Sequence, residues 1–119
     1  MHMSLPACAI SALLVTASLH AQELAPRAAV AQKLDVAKAR VYVVTLQPHA
    51  PSISPGGHAT NRVLVYLDEG TMTRKDGDGP VETISFTRGD VRWRPASGAY
   101  VSENTGTAPI RILEIDLKG

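Results

Sequence analysis

Over the last two thirds of the chain, apolar residues fall into short runs and two-residue alternations, the periods of strands rather than helices. VYVVTL (residues 41–46) is β-branched and apolar and stops at Gln47-Pro48, where a loop rich in Pro, Ser and Gly begins and extends to Gly57. RVLVYL (62–67) is a second such run, and residues 71–75 continue the pattern after Gly70. KDGDGP (75–80) reads as a hairpin tip, because its Asp-Gly pairs supply the positive φ of a tight turn. Residues 81–87 then set Val81, Thr83 and Ser85 against Glu82, Ile84 and Phe86, as a half-buried strand does. VRW follows the turn Arg88-Gly89-Asp90, and further strands are predicted near residues 99–103 and 110–117, separated by NTGTAP. Many short strands joined by Gly- and Pro-bearing turns, with almost no helical signal after residue 40, predict a β-sandwich or barrel.

The front of the chain has a different texture. Residues 1–22 contain no Lys, Arg, Asp or Glu and are largely apolar or small between Leu5 and Leu19. That stretch is too short and too interrupted by Ser and Thr for a membrane span, and it fits the apolar region of a secretory signal with cleavage after Ala21. A short buried helix is the other reading. The sole cysteine, Cys8, lies in this segment, so the exported form would hold no thiol and no disulfide. The chain divides on this basis into a signal peptide (1–21), an N-terminal arm (22–40) and a β-barrel domain (41–119). Within the Ala-rich arm, AAVAQKL suits either a short helix opened by Pro26 or a frayed extension.

Composition narrows the range of functions. A chain of 119 residues makes one domain, and 45% hydrophobic content is enough for a compact core. The formal charge of +1 is not organised into blocks, which argues against a nucleic-acid groove or a polybasic membrane patch. Aromatics are limited to Tyr42, Tyr66, Phe86, Trp93 and Tyr100, too few for a base-stacking platform. No G-x-S-x-G motif is present, and the Gly-rich stretches do not open a helix with a following lysine.

Two spacings stand out. The first is Gly56-Gly57-His58, four residues, Val63, six residues, Gly70; the second is Gly89-x5-Pro95-x4-Tyr100-x3-Asn104. They resemble the paired motifs of the cupins, G-x5-H-x-H-x3,4-E-x6-G and G-x5-P-x-G-x2-H-x3-N, and residues 71–88 between them have the length of the single hairpin of small bacterial members. The resemblance implies an all-β fold, a single jelly-roll β-barrel built from two antiparallel sheets, covering nearly all of the chain after the signal. In that family three histidines and a glutamate hold a metal. Carried over by position, those ligands become Gly56, His58, Val63 and Tyr100, and the internal glycine of the second motif is displaced to Gly98.

Glycine and valine offer no side-chain donor, and a transition metal needs about three protein ligands to be held well. The resemblance therefore implies a metal-depleted barrel, an exported small-molecule-binding or interaction module with a ligand pocket around His58, Val63, Tyr100 and Asn104. No cofactor is expected. The alternative is a metal-dependent enzyme of isomerase or oxygenase type, with Fe, Mn, Ni or Zn on His58 and a rearranged site that adds Tyr100, Glu103 or His49. Arg62, Arg92, Arg94 and Asp68-Glu69 flank these strands as rim or solvent-facing residues, an arginine near the mouth being suited to a carboxylate. With Val63 at the inward glutamate position, Val63, Val65 and Leu67 would face inward and Arg62, Leu64 and Tyr66 outward. The apolar members of that outward face, with the cupin habit of pairing through sheets, imply a homodimer. A periplasmic or secreted location follows from the signal.

Overall fold

The computed structural model describes residues 28–54 and 56–119, so the expected signal peptide and the first part of the arm lie outside the described residues. Nine strands run in chain order: β1 (Ala29–Val36), β2 (Ala39–Leu46), β3 (Pro51–Ser54), β4 (Arg62–Tyr66), β5 (Gly70–Asp76), β6 (Val81–Phe86), β7 (Val91–Arg94), β8 (Tyr100–Asn104) and β9 (Ile110–Leu117). They form two sheets, ordered β1-β2-β9-β4-β7 and β3-β8-β5-β6, and every strand pair is antiparallel. The all-β jelly roll expected from the sequence is the fold observed.

One correction concerns the arm. Residues 29–36 are neither helix nor frayed coil but strand β1, joined to β2 through Ala37-Lys38 and paired with it from Ala29↔Thr45 to Val36↔Ala39. Every β1 side chain is exposed. Its place is set by the backbone ladder to β2 rather than by burial, and such an edge strand shows no hydrophobic period. The start of β1 is also tied to the opposite sheet, since the Ala28 amide donates to Ser52 Oγ at 3.0 Å.

A second correction concerns which way β4 faces. Arg62, Leu64 and Tyr66 are buried inside the barrel, and Val63 and Val65 lie on the outer face. Val63 therefore does not line the interior. Both faces of RVLVY are apolar enough that alternation alone does not select one, and assigning Val63 to the glutamate position selected the wrong one. The inward place is taken by Arg62, at the shorter of the two spacings the first motif allows from His58.

The interior is graded along its axis. At one end lie Leu46, Tyr66, Met72, Phe86, Ile110 and Ile112, with the Tyr66 and Phe86 rings stacked 3.9 Å apart. Gly70 closes this end, because a Cβ there would meet Ile110 Cδ1 at 3.0 Å. Following each strand's inward phase toward the other end, Ile110 and Ile112 give way to Glu114 and Asp116, Tyr66 and Leu64 to Arg62, and Met72 to Arg74. The barrel is thus apolar and packed at one end and charged at the other.

Outside, the five-stranded sheet carries two cross-strand rows without a charge: Leu34–Val41–Ile115–Val63–Trp93 and Ala31–Val43–Leu113–Val65–Val91. Trp93 is 56% exposed.

Candidate functional site

The charged end of the barrel opens into a cavity of about 770 Å³ whose wall includes His58, Arg62, Arg74, Tyr100, Glu114 and Asp116. His58 reaches it because of a loop-to-loop contact. An isolated bridge joins His58 to Ser97, with the His58 amide donating to Ser97 O at 2.9 Å and the Ser97 amide to His58 O at 3.0 Å. Gly57 makes that approach possible: its φ is +64°, and a Cβ would stand 2.2 Å from Ser97 O. Thus fixed, His58 Nε2 shares a 2.7 Å hydrogen bond with Tyr100 Oη, and the two rings lie 5.6 Å apart. Burial, then the nearby Arg62 charge, hold the imidazole below its ordinary pKa, so it is neutral at pH 7.

Tyr100 opens β8 and has Arg74 Cζ 3.7 Å from its ring centroid, a cation–π contact. Arg74 is held there by a fork: Nε donates to Asp76 Oδ2 at 2.9 Å and Nη2 to Oδ1 at 2.7 Å, with a further bond from Nη2 to Ser97 Oγ at 3.2 Å. Deeper in, the fully buried Arg62 donates from Nη1 to Glu114 Oε1 at 3.2 Å. Tyr42 donates to Asp116 Oδ1 at 3.2 Å. Burial, followed by the charges of Glu114 and Asp116, pushes the Tyr42 phenol well above its usual range, so it remains a neutral donor.

The structure brings together two of the four expected pocket residues, His58 and Tyr100. Val63 points away, as described above. Asn104 is fully buried but is a clamp rather than a wall residue: its Nδ2 donates to Leu46 O at 3.0 Å and Ala108 O at 2.8 Å, and its Oδ1 accepts from the Gly106 amide at 2.9 Å. His49 does not join His58. It is exposed in a left-handed conformation (φ 59°), its amide donating to Asn104 O. Glu103 lies on the outward phase of β8. Arg92 donates to Ser85 O, and Asp68 is taken by the Arg111 fork outside the barrel. Arg94 lines the cavity and pairs with Glu82 at 3.0 Å.

Arg62, Arg74, Glu114 and Asp116 carry the interior charge, and sequence reasoning missed or misplaced all four. A signal existed: on β4, β5 and β9 the inward apolar phase continues in register into charged residues.

No protein-family model matches the sequence, and no curated protein matches it. Solved structures do. A cupin domain from Bordetella pertussis superimposes with a TM-score of 0.71 at 21% identity, over 79% of this chain and 96% of the other. The Cupin_2 domain of an XRE-family transcriptional regulator from Enterobacter cloacae gives 0.58 at 17% identity, over 77% and 96%. A predicted oxalate decarboxylase from Thermotoga maritima gives 0.57 at 21% identity, over 76% and 79%. The chain has the cupin fold. The metal-holding set that the motif resemblance implies does not fit the residues at its positions: Gly56 has no side chain, Tyr100 stands at a histidine position, and a guanidinium, Arg62, enters at the glutamate's place. His58, Glu114 and Asp116 nevertheless place one donor atom each within 4.8 Å of one another, a set drawn largely from β9 rather than from the motifs.

Proposed function

We propose that this protein is an exported, metal-depleted cupin-fold binding protein whose barrel takes up a small polar molecule. The observation that carries this reading is the hydrogen-bonded His58–Tyr100 pair on the wall of a cavity of about 770 Å³, a volume suited to a small ligand. A solidly packed barrel would support a purely structural module; an open one with polar groups converging at its mouth supports recognition. The similar structures include a domain of a transcriptional regulator and a predicted oxalate decarboxylase, so the fold by itself does not choose between binding and catalysis. Thermal-shift and calorimetric titration of the purified protein against sugars, organic acids and amino acids tests the reading. At least one class raises Tm in a saturable way, and Tyr100→Phe or His58→Ala weakens the response. No response to any class, with a crystal structure showing the cavity filled by the protein's own side chains, sinks it.

A second reading is favoured by the His58, Glu114 and Asp116 cluster: a metal-dependent enzyme of isomerase or oxygenase type with a rearranged donor set. Elemental analysis separates the two. Stoichiometric Fe, Mn, Ni or Zn that disappears in His58→Ala would replace the first reading by this one.

Two properties complete the proposal. Export rests on the apolar, uncharged segment before Gln22, and N-terminal sequencing of the secreted form is expected to begin there. Homodimerisation rests on the two uncharged rows outside the five-stranded sheet, which take over the role expected of Leu64 and Tyr66 now that those are inside.

A further inference from the structure

The buried end of the polar cluster is incompletely bonded. Among the described residues Arg62 spends only Nη1, on Glu114 Oε1, while its Nε and Nη2 have no hydrogen-bond partner; Glu114 Oε2 has none either. The Arg62 side chain is 1% exposed and that of Glu114 8% exposed, so bulk solvent does not satisfy these atoms. Nε and Nη2 form the side-on fork of a guanidinium, whose parallel N–H bonds match the two oxygens of a carboxylate. This protein uses that fork in the same way elsewhere: Arg74 gives Nε and Nη2 to Asp76, and Arg111 gives them to Asp68. Arg62 belongs to the cavity wall, and its fork carries no carboxylate; the fork atoms are closed to a molecule the size of water, so a ligand reaches them once the neighbouring side chains part.

Resting on the binding function proposed above, we infer that the ligand is a small hydroxy acid. Its carboxylate takes the Nε/Nη2 fork of Arg62, and a hydroxyl donates to Glu114 Oε2. The adjacent acceptor is what narrows the class: a bare carboxylate would meet Glu114 as a like charge, whereas a hydroxyl converts that contact into a hydrogen bond. Of the arginines on the cavity wall, Arg40, Arg74 and Arg94 are paired through Asp35, Asp76 and Glu82, and Arg62 alone keeps its side-on fork free of a carboxylate. The competing occupant is ordered water, which satisfies such groups in many barrels.

Calorimetric titration of the purified protein with lactate, tartrate and gluconate, each compared with the corresponding deoxy acid and polyol, decides between them. At least one hydroxy acid binds about tenfold or more tightly than both of its analogues, because each analogue leaves one buried group unpaired. Arg62→Lys, which keeps the charge and loses the fork, lowers that affinity about tenfold or more. Glu114→Gln narrows the gap between hydroxy and deoxy acid. Where either variant fails to fold, a crystal structure of the wild type soaked with the best binder reads the same contact directly. Equal binding of acid and analogue, or water alone on the Arg62 fork in that crystal, overturns the inference. A different polar molecule that binds in the cavity with an affinity indifferent to Arg62→Lys overturns it while the binding function stands; no binding by any class removes both.

Discussion

His58 is half-buried beside Arg62 and bonded to Tyr100, which gives it a pH signature. Its folded pKa lies below the ordinary 6.5, so on acidification the unfolded chain takes the proton first and the native state loses stability. That loss begins as pH falls through about 6.5 and continues until the folded value is reached. The carboxylates of Asp68 and Asp76, lowered by their arginine partners, act in a separate window: their contribution is present above 3.8 and is lost below it. Denaturant melts between pH 7.5 and 5 are expected to show declining stability in the wild type and a flatter profile in His58→Gln. An unchanged profile in the variant would show that the imidazole is not held neutral by the fold. Asn104 makes the opposite kind of prediction. Asn104→Ala removes three hydrogen bonds of a fully buried side chain and costs about 2–3 kcal/mol in a urea melt, while the response of the folded protein to ligand is retained. The motif resemblance put Asn104 in the pocket, although an Asn before Thr-Gly also suits a turn; the fold shows its amide turned into the turn after β8.

At the level of elements, β4 and β9 are joined by the Arg62–Glu114 pair as well as by their backbone ladder. A buried ion pair of this kind contributes little net stability, yet breaking it is costly because one charge is left alone. Glu114→Leu is therefore expected to destabilise by about 3–5 kcal/mol, whereas Arg62→Met combined with Glu114→Leu restores or exceeds wild-type stability. Chemical denaturation of both variants checks this, and equal losses in the two would mean that the groups are not coupled. If the double variant is stable but no longer binds ligand, the pair is kept for recognition rather than for folding. Strand existence was legible at this level, since β2, β4, β5, β6 and β9 all coincide with runs or alternations in the sequence. Strand phase was not. RVLVY is apolar on both faces, and the charge of Arg62 argued for solvent until Glu114 was placed beside it, a relation set by pairing between strands distant in sequence. β1 was illegible for a different reason: a strand with no buried side chain carries no period to detect.

For the molecule as a whole, the jelly roll followed from turn spacing and motif glycines, which record backbone geometry and do not depend on which side chains line the cavity. The outer rows of the five-stranded sheet set the expectation for assembly. Trp93→Glu places a charge among Val63, Ile115 and Val41, and light scattering is expected to show a dimer in the wild type and a monomer in the variant. A monomeric wild type would remove the sheet face from consideration.

The graded interior has a consequence for how such a barrel can change. Cohesion is concentrated where Leu46, Phe86, Ile110 and Ile112 meet, and charged and hydrogen-bonding groups, Arg62, Arg74 and Tyr100 among them, gather at the other end. Substitutions at the mouth therefore change the charge and hydrogen bonding of the cavity while leaving the packing that sustains the chain largely untouched. Packing and polarity are carried by different stretches of the same strands, so the chemistry of the mouth can be rewritten without the barrel having to find its fold again.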